Sequence, residues 1–165
     1  MNYKAVIFDL DGTILNTLDD LADSVNYALS YFGFPVRTID EVREFFKKDR
    51  FATENGAVID EIDDNYAVCS IELCERHLNA MNSLMGAVPF TLSDFAFAVA
   101  ANWKKPSTVS ITSNISFMGT PKGKKIIAVA SCVKDGRSTC TYLVTVKDEL
   151  ENLISQTTIT GYKLK

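Results

Sequence analysis

The chain of 165 residues is 47% hydrophobic and 23% charged, with a formal net charge of -4. These values are typical of a globular protein with one complete core, or with one core and an additional fragment. The acidic balance argues against a nucleic-acid-binding surface, which needs clustered Lys and Arg side chains. No apolar run approaches the roughly 20 residues of a membrane span, and the first residues lack the pattern of a signal peptide. We therefore expect a cytoplasmic protein without membrane or nucleic-acid partners.

The cysteine pattern indicates neither a zinc site nor a disulfide framework. The four cysteines lie in strand-like segments without CxxC spacing: Cys69, Cys74, Cys132 and Cys140. A chain of this size does not need disulfides to fold. We expect reduced and mostly buried thiols, and no metal ion or other cofactor.

The N-terminal segment predicts one strand and two helices. Residues 2–9 form the continuous apolar run of a buried strand. Between Thr17 and Phe32 apolar side chains recur at three- and four-residue steps, which indicates an amphipathic helix. The capping box of Thr38-Ile-Asp-Glu41 predicts a second, short helix that ends at about Phe46. The polar residues that follow mark a predicted boundary between an extension, residues 1–46, and a domain, residues 47–165.

The second segment predicts a strand pair, an apolar helix and four more strands. Residues 84–101 are apolar on almost every side, so a helix here must be wrapped by other structure. Segments rich in apolar and β-branched residues predict strands at 51–60, 65–73, 108–118, 125–133, 138–146 and about 156–164. This order predicts an α+β fold in which one curved antiparallel sheet wraps around one central helix.

Two aspartates and a glycine turn end the first predicted strand, as Asp9-Leu-Asp11-Gly12-Thr13. This motif resembles the DxDGT motif of haloacid-dehalogenase-like phosphatases, and the helix after it resembles the phosphoglycolate phosphatase group. The resemblance implies that Asp9 accepts the phosphoryl group, that Asp11 is a general acid/base, and that Mg²⁺ lies between them.

The phosphatase resemblance ends near Phe46. Three later features could take the remaining roles of that family, namely Ile111–Asn114, Lys122 and the acidic pair Asp148-Glu149. However, an antiparallel pattern cannot supply a doubly wound parallel sheet, whose strands need crossover helices. We therefore keep a Mg²⁺-dependent phosphatase as an alternative only, and expect a remnant that packs against or extends the main domain.

From about residue 48 onward the chain resembles the hotdog-fold acyl-CoA thioesterases of the phenylacetate-degradation type. The matching residues, in the family's order and spacing, are His77-Leu78-Asn79, Gly86, Leu92-Ser93-Asp94 and Asn114–Met118. The resemblance implies a hotdog fold and hydrolysis of small or medium acyl-CoA thioesters, aryl-CoA among them. It also implies a homodimer or homotetramer whose site lies between two subunits, with Asp94 from one subunit and Asn79 and Gly86 from the other.

Four residues are the predicted catalytic set. The resemblance implies that Asp94 is the base or nucleophile, that Asn79 positions water or the carbonyl, and that Ser110 on the adjacent strand assists. Gly86, at the start of the central helix, can offer a backbone N–H to the carbonyl oxygen. The alternatives are a paired structural carboxylate for Asp94, an Asx turn for Asn79 and an ordinary strand hydroxyl for Ser110.

The substrate-binding predictions concern Met85 and basic loops. Met85 stands where the family usually has the histidine of a His-Gly-Gly motif, which leaves a non-catalytic acyl-CoA-binding module as an alternative function. Five lysines flank loops that could meet the phosphates of coenzyme A, with a solvated basic loop as the alternative: Lys104, Lys105, Lys122, Lys124 and Lys125. For His77, the only histidine, we expect a role in shaping its turn.

Overall fold

The computed structural model describes residues 39–104 and 107–164. The predicted N-terminal strand and first helix, the candidates Asp9 and Asp11, and Lys105 lie outside these ranges. Within the described residues, no helix has both the length and the apolar character that crossing a membrane requires.

The described residues form three helices and six strands. The helices are α1 (Ile39–Phe46), α2 (Arg50–Thr53) and α3 (Ala87–Asn102). The strands are β1 (Ala57–Asp63), β2 (Tyr66–Glu72), β3 (Thr108–Phe117), β4 (Lys125–Asp135), β5 (Thr139–Asp148) and β6 (Leu153–Lys163). They make one sheet in the order β1-β2-β4-β5-β6-β3, in which every neighbouring pair is antiparallel. This confirms the predicted α+β hotdog architecture.

Helix α3 is the centre of the core and contacts all six strands. Its buried side chains include Leu92, Phe97 and Val99, and burying each such side chain stabilises the fold by about 1.5–3 kcal/mol. The ring of Phe97 meets that of Tyr142 edge to face, with centroids 5.3 Å apart. Pro89 lies in the first turn, where a missing backbone N–H breaks no helical hydrogen bond. The predicted central, buried helix is therefore confirmed.

Helix α1 packs on the same core as α3. Val42 and Phe46 are buried, and the Phe46 ring meets Phe95 edge to face at 5.9 Å. Residues 39–165 accordingly cluster as one compact unit. The predicted domain boundary after residue 46 stays a prediction, although its last predicted helix contributes to this core.

The predicted strand at 51–60 is wrong in its first half. Arg50–Thr53 form α2, whose side chains support a helical turn through the Arg50–Glu54 ion pair at 2.7 Å. Gly56 then adopts a positive φ of 88° and turns the chain into β1. The apolar residues at 51 and 52 were insufficient to distinguish a helical turn from a strand.

The four cysteines are free thiols, but they are not all buried in strands. Cys69 and Cys140 are buried and Cys132 is half-buried, each within a strand. Cys74 is exposed and lies in the loop after β2.

Candidate active site

Asp94 is a half-buried carboxylate near the middle of the apolar helix α3. Burial raises the pKa of this carboxyl above its usual range, because the charged form loses hydration. A side-chain hydrogen bond with Ser110 lowers the pKa in part, and the nearby negative charge of Asp49 raises it further. The group is therefore a stronger base than an ordinary aspartate.

The start of β3 is tied to the end of α3, which places Ser110 beside Asp94. The side chain of Asn102 accepts the Thr108 N–H at 2.6 Å and donates to the Thr108 carbonyl at 3.1 Å. Ser110 then pairs with Gly161 on β6, immediately before a bulge in the register. Because a bulge changes the direction of neighbouring side chains, this irregularity helps to aim the Ser110 hydroxyl at the helix.

Gly161 lets the sheet approach α3 closely at this point. A Cβ here would lie 2.8 Å from three atoms, Cys140 Sγ, Phe97 Cζ and Thr108 Cγ2. No side chain fits at that distance without movement of the core. The glycine thus determines the spacing between the helix that carries Asp94 and the strand pair that carries Ser110.

Asp94 lines a cavity of about 180 Å³, which we call the Asp94 cavity. At roughly 30 Å³ per water molecule, this volume accommodates a few waters or a small acyl group. Its walls are Lys48, Asp49, Arg50, Phe51, Ala52, Thr91, Asp94 and Phe95. The link between α1 and α2 therefore forms one wall, which the sequence reasoning missed because it assigned part of this segment to a strand.

Asn79 makes an Asx turn, the alternative to its predicted catalytic role. Its Oδ1 accepts the N–H of Met81 at 2.9 Å and of Ser83 at 3.1 Å. These bonds fix the carboxamide, while its amide nitrogen has no hydrogen-bond partner within residues 39–104 and 107–164. The turn therefore leaves an oriented N–H₂ group that can donate to a ligand.

His77 is buried and both of its ring nitrogens are engaged. Nδ1 accepts the Cys74 N–H at 3.1 Å, so the proton lies on Nε2, which donates to the Asn55 carbonyl at 3.0 Å. The backbone carbonyl of His77 accepts the Met85 N–H at 2.9 Å. These contacts give His77 the turn-shaping geometry that we expected.

Gly86 precedes the first turn of α3 as its N-cap residue. The first backbone N–H groups of a helix lack intrahelical acceptors and carry partial positive charge. The Phe117 ring lies close by, since a Cβ on Gly86 would be 3.2 Å from Phe117 Cζ. Met85, before it, is 48% exposed. The helix N-terminus can thus stabilise a developing oxyanion beside an apolar wall.

The loop that carries Asn79 borders a second cavity of about 440 Å³, the loop cavity. Its walls are Leu73, Cys74, Glu75, Leu78, Asn82, Ser83, Leu84, Thr120, Pro121, Gly123 and Lys124. Of the five predicted lysines, Lys124 lines this cavity and Lys122 is exposed in the same turn. Lys125 instead pairs with Asp60 at 3.8 Å, and the Lys104 amino group lies 4.7 Å from the Trp103 ring centroid.

Two carboxylates hold the turn that carries these lysines. Asp148 Oδ2 accepts the N–H of Lys122 at 2.8 Å and of Gly123 at 3.1 Å. Glu149 accepts the N–H of Lys124 at 2.6 Å and of Lys125 at 2.9 Å. The acidic pair considered for a phosphatase therefore organises a turn. Among the described residues, no three His, Cys, Asp or Glu side chains cluster in a way that could hold a metal ion.

The remaining phosphatase candidate, Ile111–Asn114, lies on β3, which pairs antiparallel with β6. Asp94 and Ser110 share a hydrogen bond, whereas Asn79 and Gly86 are not among the residues that line the two cavities. The Asp94 cavity and the loop cavity have no lining residue in common.

Comparison with known proteins identifies the described domain. The sequence model of the thioesterase superfamily matches residues 81–155. A protein of Archaeoglobus fulgidus described as "Putative esterase" is 32% identical over 128 residues, which cover 76% of this chain and 83% of the relative. The chain belongs to the thioesterase superfamily through its hotdog domain.

Solved structures agree with this assignment. The E. coli PaaI protein from the phenylacetic acid degradation operon has a TM-score of 0.70 at 22% identity, covering 74% of this chain and 89% of its own. A hypothetical thioesterase from Streptococcus pneumoniae, determined with coenzyme A, has a TM-score of 0.67 at 21% identity, covering 72% and 96%. At these identities the likeness shows the hotdog fold.

The N-terminal resemblance is also matched. The model of haloacid dehalogenase-like hydrolases matches residues 6–79. A phosphoglycolate phosphatase of Haemophilus influenzae is 58% identical over 33 residues, which cover 20% of this chain and only 15% of that protein. Part of the matched range, Ala57–Asp63 and Tyr66–Glu72, forms two antiparallel strands of the hotdog sheet. The chain thus contains a phosphatase-like fragment before a thioesterase domain.

Proposed function

We propose that this protein is an acyl-CoA thioesterase that hydrolyses small or medium acyl-CoA thioesters, aryl-CoA among them, to the free acid and CoA. The observation that carries the proposal is Asp94, a half-buried carboxylate with a raised pKa that opens into a cavity. A carboxylate left in such surroundings is unfavourable for stability unless it is paired or used.

The proposed reaction uses Asp94 as a general base. Its carboxylate takes a proton from a water molecule in the Asp94 cavity while the water oxygen adds to the thioester carbonyl carbon. The resulting oxyanion accepts a hydrogen bond from the N–H at Gly86, where the helix dipole favours negative charge. Collapse of this intermediate breaks the C–S bond, and the proton held by Asp94 passes to the CoA sulfur. No cofactor takes part in this scheme.

Three further residues support the reaction. The Ser110 hydroxyl donates to Asp94 and holds its ionised form in place. The free amide nitrogen of Asn79 is oriented by its Asx turn to position the water or the thioester carbonyl. The exposed side chain of Met85, next to Gly86, contacts the acyl portion of the substrate in this scheme.

Coenzyme A is proposed to occupy the loop cavity. Lys122 and Lys124 supply positive charge for its phosphates from a turn fixed by Asp148 and Glu149. The bound coenzyme A of the Streptococcus pneumoniae thioesterase supports this ligand class for a hotdog fold of this type. Cytoplasmic residence also stays a prediction.

The complete site is proposed to require two subunits, in a homodimer or homotetramer. Asp94 and the Asn79 loop border cavities with no common wall residue, which supports a site completed by a partner subunit. Strand β3 is an edge strand of ten residues with exposed apolar side chains, among them Val109, Ile111 and Phe117. Such an edge favours pairing with a second strand. Two β3 edges related by a twofold axis would form one continuous sheet.

The test of the function is release of free thiol from a panel of acyl-CoAs. We expect Asp94→Asn to lower kcat by about 100-fold or more, the usual size of a lost general base. The matched control is Asp40→Asn, which makes the same charge change at an exposed residue of α1. Equal turnover by Asp94→Asn and the native protein would exclude Asp94 as the base.

Mixing two inactive variants tests the shared site. If Asp94 comes from one subunit and Asn79 from the other, mixed dimers of Asp94→Asn and Asn79→Ala contain one intact site. Equal mixing should then restore about a quarter of native activity, because half of the dimers are mixed and each has one good site of two. A mixture no more active than the separate variants, with subunit exchange verified by mass spectrometry, would place both residues in one subunit.

The alternative is a non-catalytic acyl-CoA-binding module, which the replacement of the family's histidine by Met85 favours. It predicts tight CoA binding by calorimetry without turnover of any acyl-CoA. A Mg²⁺-dependent phosphatase predicts instead a metal-dependent activity that Asp9→Asn abolishes and Asp94→Asn leaves unchanged.

A further inference from the structure

The Asp94 cavity contains a second carboxylate that the sequence did not single out. Three consecutive charged residues line the cavity, namely Lys48 and Asp49 between α1 and α2 and Arg50 at the start of α2. Opposite them lies Asp94 on α3, and the side chain that Asp94 meets from β3 is the neutral Ser110. The electrostatic character of the cavity therefore depends on which of the three charges acts on Asp94.

Both cations have other partners. The Lys48 amino group lies 5.7 Å from the centroid of the Phe45 ring. Arg50 Nε donates to a carboxylate oxygen of Glu54 at 2.7 Å. These two partners, Phe45 and Glu54, are not among the residues that line the cavity.

The side chain of Asp49, by contrast, does not cap helix α2, although its position before the helix predicts this role. It precedes α2 as the N-cap residue, where an aspartate side chain commonly accepts a backbone N–H of the first turn. Here its carboxylate makes no such capping bond, and only its backbone carbonyl accepts the N–H groups of Ala52 and Thr53, at 3.1 and 3.0 Å. Asp49 is exposed and lines the Asp94 cavity.

We propose that Asp49 is a positioning residue of the thioesterase site, whose negative charge acts on Asp94 from the wall of the cavity that both residues line. This inference rests on the proposed function, because it assigns Asp49 an effect on the same proton transfer. A like charge disfavours ionisation of a neighbouring carboxyl group. The consistent observation is that Asp49 raises the pKa of Asp94, in the same direction as burial.

The charge of Asp49 should have opposite effects on the basicity of Asp94 and on the fraction of Asp94 that is ionised. A more basic Asp94 takes the proton from water more readily once it is ionised. It is ionised in a smaller fraction of molecules at acidic pH, because its protonated form is favoured. Loss of the Asp49 charge should therefore increase activity at acidic pH and decrease it on the plateau.

The experiment compares kcat/KM as a function of pH for native protein, Asp49→Asn, Asp49→Glu and Asp40→Asn. We expect the ratio of Asp49→Asn to native activity to exceed one on the acidic limb and to fall below one on the plateau. Asp49→Glu keeps the charge and should restore the native profile, while Asp40→Asn should leave it unchanged. A loss of fold or of substrate affinity alone would scale the whole profile without a crossing.

A second measurement does not depend on turnover. Titration of ¹³C-labelled Asp94 carboxyl by NMR should show a lower pKa in Asp49→Asn than in native protein or Asp40→Asn. At 1 M salt, where the screening length falls to about 3 Å, the difference should shrink. The same Asp94 titration in both variants would overturn the inference. A shifted titration without any thioester hydrolysis would retain the electrostatic coupling and reject the proposed function.

Discussion

Two aspartates on the same domain have opposite surroundings. Asp148 is fully buried at the end of β5, where desolvation is outweighed by hydrogen bonds from Lys122, Gly123 and Asn152 that hold its pKa well below the usual range. Asp94 is half-buried on α3, where Ser110 only partly offsets desolvation and the pKa is raised. Burial alone therefore does not determine the properties of a carboxylate in this protein.

The number of hydrogen-bond donors around each carboxylate separates a structural aspartate, Asp148, from a candidate base, Asp94. Asp148 accepts six hydrogen bonds from five nitrogen atoms. These are the backbone nitrogens of Lys122, Gly123, Leu150 and Asn152 and the side-chain nitrogen of Asn152, which contacts both carboxylate oxygens. These fixed N–H dipoles stabilise the ionised form of Asp148, so the carboxylate is a weak base. Asp94 lacks such a set of donors and opens into a cavity, so its ionised form can take a proton from a ligand.

Neutralising each aspartate should change stability in opposite directions, and this is the largest stability effect we expect. Asp148→Asn replaces an acceptor with a group that cannot accept all of these hydrogen bonds, so the melting temperature should fall strongly at neutral pH. Asp94→Asn removes an ionised carboxylate that burial disfavours, so the melting temperature should stay equal or rise. Thermal unfolding followed by circular dichroism measures both, with Asp40→Asn at an exposed residue of α1 as the control.

The pH dependence sharpens the same comparison. The pKa of Asp148 is depressed in the folded state, so its contribution is present above the unfolded value and is lost as pH falls towards the folded one. The pKa of Asp94 is raised, so the cost of its charge appears as pH rises through the folded value. Both variants should therefore approach native stability in acid. If they shift the melting temperature in the same direction at neutral pH, the contrast between the two carboxylates is wrong.

Gly161→Ala should produce the next largest effect. A methyl group 2.8 Å from Phe97, Cys140 and Thr108 must displace the core, which costs about 1–3 kcal/mol in the free energy of unfolding. Displacing β6 also displaces Ser110, its partner on β3, so the variant should lose activity at temperatures where it remains folded.

Urea unfolding and thiol release measure the two consequences of Gly161→Ala. Gly86→Ala is the matched control for the unfolding measurement alone, because Gly86 belongs to the proposed site. Its methyl group would meet the exposed Phe117 ring at 3.2 Å, which has room to move. Equal destabilisation by the two alanines would show that the sheet does not press on α3 at Gly161.

Ser110→Ala should give a smaller change that acts on the pH profile. The hydroxyl lowers the pKa of Asp94, so its loss should shift the acidic limb of the kcat/KM profile to higher pH. This shift is opposite to the one expected for Asp49→Asn. The free energy of unfolding should change by only about 0.5–1.5 kcal/mol, the net contribution of one hydrogen bond. Ser116→Ala, on an exposed part of the same strand, is the control. An unchanged profile would leave Ser110 as an ordinary strand hydroxyl.

Most of the fold could be predicted from patterns of hydrophobicity. Strands β4 and β5 alternate between buried and less buried side chains, which is the period of a strand. Helix α3 is apolar all round and shows no period, but its 16 residues are too long for an ordinary strand. The helical segment at Arg50–Thr53 was not visible, because four residues are too few to show a helical period. The sequence also does not determine the boundary near residue 46. The apolar side chains of Val42 and Phe46 could pack equally well on the N-terminal extension or on the hotdog domain.

The candidate site was predictable in part, for a related reason. Asp94 stands out because a charge on an apolar helix is unusual, and Gly86 because it begins that helix. Asp49 could not be found in this way, since a charged residue between Lys48 and Arg50 is typical of a solvated loop. Its relation to Asp94 comes from the packing of α1 against α3 through Phe46 and Phe95, which is a tertiary contact.

The smallest effect is expected at the turn held by Asp148. Lys122→Ala with Lys124→Ala removes two exposed charges, each contributing about 0.2–1 kcal/mol in such settings, so KM for acyl-CoA should rise a few-fold while kcat stays unchanged. The increase should disappear at high salt, where exposed charges are screened. Lys134→Ala, at the exposed far end of β4, should leave KM unchanged. Because the turn is held through its backbone N–H groups, removing the lysine side chains should not lower the melting temperature. A KM that stays constant would mean that the Asp148 turn orders the loop without contributing to recognition of coenzyme A.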